Sequence, residues 1–121
     1  MFDRTIRHCR QCGAPVERRL PDDGDTRERA ICTVCATIHY ENPLNVVGTV
    51  PWLGDKVLLC KRNIEPRRGF WTLPAGFMEL GESTAEGAVR ETQEEAGAEI
   101  ELEGLFTVLN VVRVGQVHLY Y

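Results

Sequence analysis

The chain has 121 residues, 43% hydrophobic and 26% charged, which excludes a disordered protein and leaves room for one ordinary domain or a small module plus part of a larger one. A formal net charge of −4 gives no general field that attracts nucleic acid or an anionic membrane. No apolar run approaches a membrane span, and the N-terminal sequence MFDRTIRHCRQC has no secretory apolar region, so we expect a cytoplasmic protein with reduced thiols.

Four of the five cysteines lie near the N-terminus, as two C-x2-C pairs separated by nineteen residues: Cys9, Cys12, Cys32 and Cys35. This spacing is typical of structural zinc sites made of four thiolates. Residues 16–20 and 28–32 are predicted strands around the turn sequence PDDGDT, so together they predict a zinc-ribbon hairpin. Two disulfides or four free thiols are the alternatives, and a chain without an export signal disfavours both.

Two histidines, His8 and His39, flank these pairs. Because four cysteines already complete a tetrahedral site, we expect both histidines to be solvent-exposed neighbours. Asn42-Pro43 favours an extended or turn conformation and marks a boundary. We therefore expect a ribbon domain over residues 1–43 and a second domain over residues 44–121.

The second domain begins with two β-rich runs, residues 45–53 and 56–62, which predict a hairpin around Gly54-Asp55. Cys60 is expected to be a small buried hydrophobe without chemistry. Residues 63–75 are irregular, and we expect their apolar side chains to anchor this loop to the core: Phe70, Trp71 and Leu73. Arg67 and Arg68 could approach a phosphate, but a solvated pair is the favoured interpretation.

A helix is predicted from a capping box, Ser83 followed by Glu86, and should end near Ala96 before Gly97 in a left-handed conformation. Five small or apolar side chains recur at helical spacing and should face the core: Ala85, Ala88, Val89, Thr92 and Ala96.

Three glutamates close the helix, at spacings that bring their carboxylates within one turn: Glu91, Glu94 and Glu95. We expect them opposite the core face, with Arg90 paired to Glu82 or Glu86. Like charges this close repel unless a cation lies between them, and Mg²⁺ prefers carboxylate oxygens. A solvated acidic face is the alternative that composition alone favours.

Residues 98–110 read as a strand with an irregular start, and residues 111–121 as a hairpin turning near Gly115. The chain ends inside this predicted strand. An unfinished sheet edge indicates either missing chain or a partner strand, so a homodimer is one expectation.

The stretch from Gly76 to Ala98 resembles the Nudix box, G-x5-E-x7-R-E-U-x-E-E-x-G-U, where U is apolar. Its fixed places are filled in register by eight residues: Gly76, Glu82, Arg90, Glu91, Glu94, Glu95, Gly97 and Ala98. The one departure is Thr92 at the first U place, which should affect packing and not chemistry. The resemblance implies a Nudix α/β/α sandwich with a mixed sheet, preceded by the ribbon, and with its C-terminal part apparently missing.

The same resemblance implies hydrolysis of a nucleoside diphosphate linked to another moiety, with Mg²⁺ or Mn²⁺. Glu94 and Glu95 would be metal ligands, Glu91 a ligand or the base that activates water, and the Ala75 carbonyl a further ligand. The remaining box residues would support the loop and the helix: Gly76, Glu82, Arg90 and Gly97.

The ribbon followed by this domain is similar to FAD and ADP-ribose pyrophosphatases and, less closely, to NADH pyrophosphatases. The leading hypothesis is therefore a pyrophosphatase acting on FAD or ADP-ribose and releasing AMP. The alternatives are hydrolysis of NADH or NAD-capped RNA, and a non-catalytic nucleotide-binding or interaction module. We expect a small-molecule nucleotide as substrate, with neither a membrane nor nucleic acid as the favoured partner.

Overall fold

The structure is a computed structural model that describes residues 3–121, so residues 1 and 2 of the predicted ribbon domain lie outside the described residues. The chain divides into two compact units, one ending at Asn42 and one running from Pro43 to Tyr121. The division into domains 1–43 and 44–121 stays a prediction, since compactness alone does not show that either part folds independently. No helix among the described residues is long and apolar enough to cross a membrane.

The first unit is a three-stranded antiparallel sheet in the order β1 (Val16–Arg19), β2 (Arg29–Cys32) and β3 (Ile38–His39). The predicted hairpin is confirmed, with its turn between β1 and β2. Three residues of β2 are buried, namely Ala30, Ile31 and Cys32. This core is small because the strands are short and their outer residues are charged.

The second unit is built on a mixed sheet of four strands: β4 (Leu44–Gly48), β9 (Ala75–Phe77), β10 (Thr107–Val111) and β11 (Gln116–Tyr120). Their order in the sheet is β10-β11-β4-β9, in which β4 and β11 are parallel and the other neighbours antiparallel. A 3-10 helix, Val112–Val114, and Gly115 in a left-handed conformation connect β10 to β11. The predicted turn near Gly115 is therefore confirmed.

Along the chain, β4 and β9 are separated by two small hairpins. The first is formed by β5 (Trp52–Leu53) with β6 (Lys56–Val57), and the second by β7 (Cys60–Lys61) with β8 (Trp71–Thr72). The predicted hairpin of residues 45–53 with 56–62 is thus right only at its tip. Its first run divides into β4 and β5, and its second run supplies β7, which pairs with a strand that the sequence left irregular.

The single α-helix of the described residues, α1 (Thr84–Ala96), begins with the predicted capping box, in which both reciprocal hydrogen bonds are present. The Ser83 hydroxyl accepts the backbone N–H of Glu86 at 3.1 Å, and the Glu86 carboxylate accepts the N–H of Ser83 at 3.3 Å. Gly97 ends the helix with φ 62°, as its position predicts.

The helix packs on β4 through a face made of Gly87, Ala88 and Thr92. A side chain at position 87 would collide with Val47 and with Glu82, so glycine there lets the helix approach the sheet closely. The predicted core face is right for Ala88 and Thr92 and wrong for Val89, which is 37% exposed. Ala85 and Ala96 are half-buried.

The expectation that Phe70 and Trp71 anchor their loop is also wrong. Their side chains are 62% and 64% exposed. The loop is held instead by its own backbone, through hydrogen bonds from Arg62 N–H to the Phe70 carbonyl at 2.9 Å and from Gly69 N–H to the Arg62 carbonyl at 2.8 Å.

Candidate metal centres and active site

The four ribbon cysteines come together in one cluster, with all four Sγ atoms within 4.8 Å of one another. Cys9 and Cys35 are 3.7 Å apart and Cys12 and Cys32 are 3.4 Å apart, and all are free thiols. Four sulfurs around a tetrahedral zinc at about 2.3 Å would be about 3.8 Å apart, which matches this arrangement. The donor set therefore fits zinc.

Backbone N–H groups favour thiolates within this cluster. Gln11 donates to the sulfur of Cys9 at 3.3 Å, and Val34 and Cys35 both donate to the sulfur of Cys32 at 3.4 Å. Hydrogen bonds from the hydroxyl and backbone of Thr37 lower the pKa of Cys35 to about 6. The Ala14 backbone lowers the pKa of Cys12, but the other thiols and burial together raise it to about 11. A cation at the centre of the cluster would favour the thiolate form of Cys12 and so oppose this rise in its pKa.

The two histidines differ from each other. His8 is exposed as predicted, but His39 is only 5% exposed, so the prediction for His39 is wrong. It lies opposite Ala30 in the pairing of β2 with β3, and within the described residues its Nε2 atom has no hydrogen-bond partner. Its ring helps to close the small core of the ribbon, and it does not belong to the cysteine cluster.

In the second unit, the guanidinium of Arg90 connects the loop before α1 to the glutamates of the helix. It makes a two-pronged ion pair with Glu82, Nε and Nη2 each lying 2.8 Å from a carboxylate oxygen. Its Nη1 atom lies 2.8 Å from Glu91 and 3.2 Å from Glu94, and Nη2 also donates to the Phe77 carbonyl at 3.2 Å. One cation thus reaches three carboxylates and one strand.

Glu82 is held from two sides, since its Oε1 atom also accepts the backbone N–H of Glu79 at 2.7 Å. The hydrogen bonds from Arg90 and then from Glu79 lower the pKa of Glu82 to about 2. The neighbouring carboxylates Glu82 and Glu91 raise the pKa of Arg90 above its usual range. The loop and the helix are therefore joined by groups that stay charged across the physiological pH range.

The three glutamates of the helix have different surroundings. The side chain of Glu91 is 12% exposed and that of Glu94 is 59% exposed. A side chain at Gly76 would collide with the Glu91 carboxylate, so this carboxylate lies directly over β9. The expectation that all three lie opposite the core face is wrong for Glu91, because glycine at position 76 makes room for it beside the sheet.

Glu95 also reaches β9, where its Oε2 atom accepts the backbone N–H of Ala75 at 3.1 Å. Partial burial raises the pKa of Glu95, and the charges of Glu91 and Glu94 act in the same direction. The Ala75 hydrogen bond and the charge of Arg62 oppose this rise. Among residues 3–121 the cysteines are the one group already close enough to share an ion, so the glutamates are neighbours without a preformed cluster.

Sequence reasoning missed a buried hydrogen bond between α1 and the end of β4. The hydroxyls of Thr49 and Thr92 are 2.6 Å apart, and Thr92 donates its one hydrogen to the Ala88 carbonyl at 2.8 Å. Thr49 must therefore donate to Thr92. The signal was present in the sequence, since one hydroxyl lies in an apolar strand and the other on the predicted core face of the helix, and each needs a partner when buried.

Comparison with known proteins agrees with this architecture. The family model described as NUDIX domain matches residues 43–119, and the model described as Nudix N-terminal matches residues 7–41. A mixed sheet carrying a loop–helix acidic site, preceded by a cysteine ribbon, defines a hydrolase of the Nudix class. The chain belongs to the Nudix family.

Three relatives illustrate the range of similarity. A NUDIX hydrolase structure from Nitrosomonas europaea is 50% identical with a TM-score of 0.87, covering 95% of this chain and 65% of that one. An ADP-ribose pyrophosphatase from Methanocaldococcus jannaschii is 41% identical over 48% of this chain and 34% of its own length. An NAD-capped RNA hydrolase, NudC, from Salmonella heidelberg is 28% identical over 82% of this chain and 36% of its own length. This chain therefore spans about a third of these two curated relatives.

Proposed function

We propose that this protein is a metal-dependent pyrophosphatase that hydrolyses a nucleoside diphosphate linked to another moiety, such as ADP-ribose or FAD, and releases AMP. The observation that carries the proposal is the Arg90 network, which holds Glu82, Glu91 and Glu94 around one guanidinium beside β9. Glu91 and Glu94, which this network holds close together, would hold a divalent cation, and that cation would supply positive charge to the phosphates of the substrate.

The residues present fit Mg²⁺ or Mn²⁺, because these ions prefer oxygen ligands and Glu91, Glu94, Glu95 and the Ala75 carbonyl supply them. Burial, and after it the charges of Glu91 and Glu94, raise the pKa of Glu95, and a bound cation would oppose that rise. When bound, the metal would neutralise the diphosphate and lower the pKa of a water molecule.

The chain's own residues would position the metal-binding carboxylates and deprotonate the attacking water. The Arg90–Glu82 pair would fix the helix against the loop before substrate arrives, so that little reorganisation is needed during the reaction. Glu91, which is nearly buried against β9, would act as a ligand or take the proton from the attacking water. In the ribbon, we propose one structural Zn²⁺ held by the four cysteines, which stay reduced in a cytoplasmic protein.

ADP-ribose is favoured as the substrate class over a capped RNA by the charges of the ribbon. Four of its seven arginines make ion pairs within the ribbon itself, namely Arg7–Asp3, Arg18–Glu41, Arg19–Glu17 and Arg29–Asp25. An RNA-binding surface would instead present unpaired cations to phosphates. The similarity to NudC keeps NADH and capped RNA as the second candidate, since it extends over both units.

The test is AMP release from ADP-ribose, FAD and NADH with added Mg²⁺, using the full-length protein. We expect turnover on at least one of them and a loss of more than about 10-fold to 100-fold in Glu94→Gln, since changes to the mere partners of metal ligands already cost that much. Glu101→Gln, an exposed glutamate beyond the helix, is the matched control and should keep wild-type activity. If no compound is hydrolysed, the non-catalytic module is the better reading, and if Glu94→Gln stays fully active, the metal assignment is wrong.

A further inference from the structure

We propose that the hairpin of residues 60–72, here called the basic hairpin, is the substrate-recognition element of the active site. In this proposal the Trp71 indole stacks on a flat ring of the substrate, and the cations of the hairpin meet its diphosphate. The inference rests on the proposed function, because it names the part of the fold that selects the substrate.

Trp71 is the first observation. It is directly opposite Lys61 in the pairing of β7 with β8, and its side chain is 64% exposed. The Lys61 ammonium lies 5.9 Å from the centre of the indole ring. An indole ring exposed to water loses the large hydrophobic free energy that burial would provide. A ligand with a flat base and a negative charge would cover the ring and meet the neighbouring cation.

Charge is the second observation. Residues 61–69 hold four basic residues and one acidic residue, a local net charge of +3 in a chain of net charge −4. Arg62 is used to order the loop, since its Nε atom donates to the Pro66 carbonyl at 2.8 Å. Arg67 makes no ion pair or side-chain hydrogen bond with any residue of the described chain, and Arg68 only a long, exposed pair with Glu65 at 4.0 Å. Two guanidinium groups are therefore available to phosphates.

Position is the third observation. Cys60, at the base of the hairpin, pairs with Thr72 and is half-buried. The second strand of the hairpin, β8, ends at Thr72 and leads through Leu73 and Pro74 directly into Ala75 of β9. Trp71 is four residues before Ala75, whose N–H bonds Glu95, and four extended residues span at most about 14 Å.

These observations place the cations of the basic hairpin on the segment that leads into β9, the strand on which the carboxylates of α1 lie. The carboxylates of α1 would hold a diphosphate through a cation, and the basic hairpin would meet the same anion directly. A single exposed indole and a net charge of +3 suit one small nucleotide better than an RNA strand, which needs a longer track of cations and several stacked rings.

The experiment measures binding without turnover, by calorimetric titration of ADP-ribose, FAD and NADH into protein with wild-type carboxylates and with divalent metal removed by a chelator. Stacking on an aromatic ring is worth roughly 1–3 kcal/mol, so Trp71→Leu should raise Kd by about 5-fold to 150-fold. Trp71→Phe should recover part of the loss. Arg67→Gln should raise Kd by a smaller factor that shrinks as salt is added.

The matched control is Trp52→Leu, which removes the other tryptophan, 60% exposed on the neighbouring hairpin, and should leave Kd unchanged. Equal Kd values for Trp71→Leu and Trp52→Leu overturn the inference, as does the absence of binding to all three compounds. A Trp71-dependent loss confined to a single-stranded RNA oligonucleotide also overturns it. Trp71-dependent binding without hydrolysis by the wild type would support the hairpin and reject the proposed reaction.

Discussion

The four-cysteine cluster of the ribbon and the glutamate site of the second unit are stabilised by different kinds of group. In the ribbon, four sulfurs lie within 4.8 Å of one another, and the groups that favour thiolates are uncharged backbone N–H groups and a hydroxyl. In the second unit, a guanidinium already lies among the carboxylates, within 3.2 Å of each of Glu82, Glu91 and Glu94. The thiol site is stabilised by neutral donors, whereas the carboxylate site contains a cation supplied by the chain.

This difference indicates what each metal would do. The ribbon has few buried side chains, so a bound zinc would supply most of its folding free energy. The helix of the second unit is held without metal, by its capping box, by Arg90 and by the Thr49–Thr92 hydrogen bond. Removing Mg²⁺ should therefore stop the reaction and leave that unit folded, whereas removing zinc should unfold the ribbon.

The largest effect is expected for Cys12→Ser. Structural zinc in small domains contributes apparent free energies of about 10 kcal/mol or more, so losing one ligand should unfold the ribbon. Elemental analysis should find about one zinc per chain in the wild type and much less in the variant. Hydrogen exchange should become fast in β1 to β3 and stay slow in β4 and α1.

Cys60→Ser is the matched control, because Cys60 is the one cysteine outside the cluster. It should keep the zinc and the slow exchange of the ribbon. A wild-type protein that is purified under reducing conditions, free of metal and with its ribbon folded, would contradict the comparison between the two sites.

A smaller effect is expected at the Thr49–Thr92 pair. Because Thr49 donates to Thr92, Thr92→Val leaves a buried hydroxyl without an acceptor and should destabilise the protein by about 1–3 kcal/mol. Thr49→Val should cost less, since Thr92 keeps its bond to the Ala88 carbonyl. The double variant should be more stable than Thr92→Val alone, because both partners are then apolar.

Urea unfolding of the four proteins gives the coupling free energy of the pair. Thr107→Val, on the outer strand β10, is a control that lacks this contact with the helix. Additive effects of the two substitutions would mean that the hydrogen bond does not join α1 to β4, and the helix would then be held by Arg90 and packing alone.

Local features of the fold could be predicted from the sequence, because the residues that determine them are close in the chain. The capping box at Ser83 and the left-handed Gly97 depend on neighbours within one helical turn. The four-cysteine cluster was predictable for a related reason, since each C-x2-C pair brings two sulfurs together through one turn.

Features that depend on close approach between distant segments could not be predicted. Apolar periodicity assigned Val89 to the core and Glu91 to the opposite side of the helix. Instead, Gly87 allows the helix to lie close to the sheet, and Gly76 leaves room for the Glu91 carboxylate against β9. Glycine carries no hydrophobic signal, so the pattern could not show it as a contact surface. The pairing of β7 with β8 was missed likewise, because nothing in two two-residue strands specifies a partner ten residues away.

The smallest effect, and the one that most directly probes the metal site, is the pH dependence of Glu95. Its folded-state pKa is raised by burial and by Glu91 and Glu94, so this carboxyl stabilises the fold most when protonated. That contribution is present below the unfolded pKa and is lost as pH rises through the folded pKa. Without metal, Glu95→Gln should therefore be slightly more stable than wild type at pH 7, and the difference should vanish toward pH 3.

Thermal unfolding with and without Mg²⁺ checks this. Added Mg²⁺ should raise the Tm of the wild type more than that of Glu95→Gln, because the variant has lost a ligand and the charge that attracts the ion. The matched control is Glu99→Gln, outside the helix and exposed, whose Tm should follow the wild type at every pH. If Glu95→Gln is instead less stable at pH 7 without metal, the carboxylate is already compensated by the chain, and Arg62 and the Ala75 N–H then do for Glu95 what Arg90 does for Glu82.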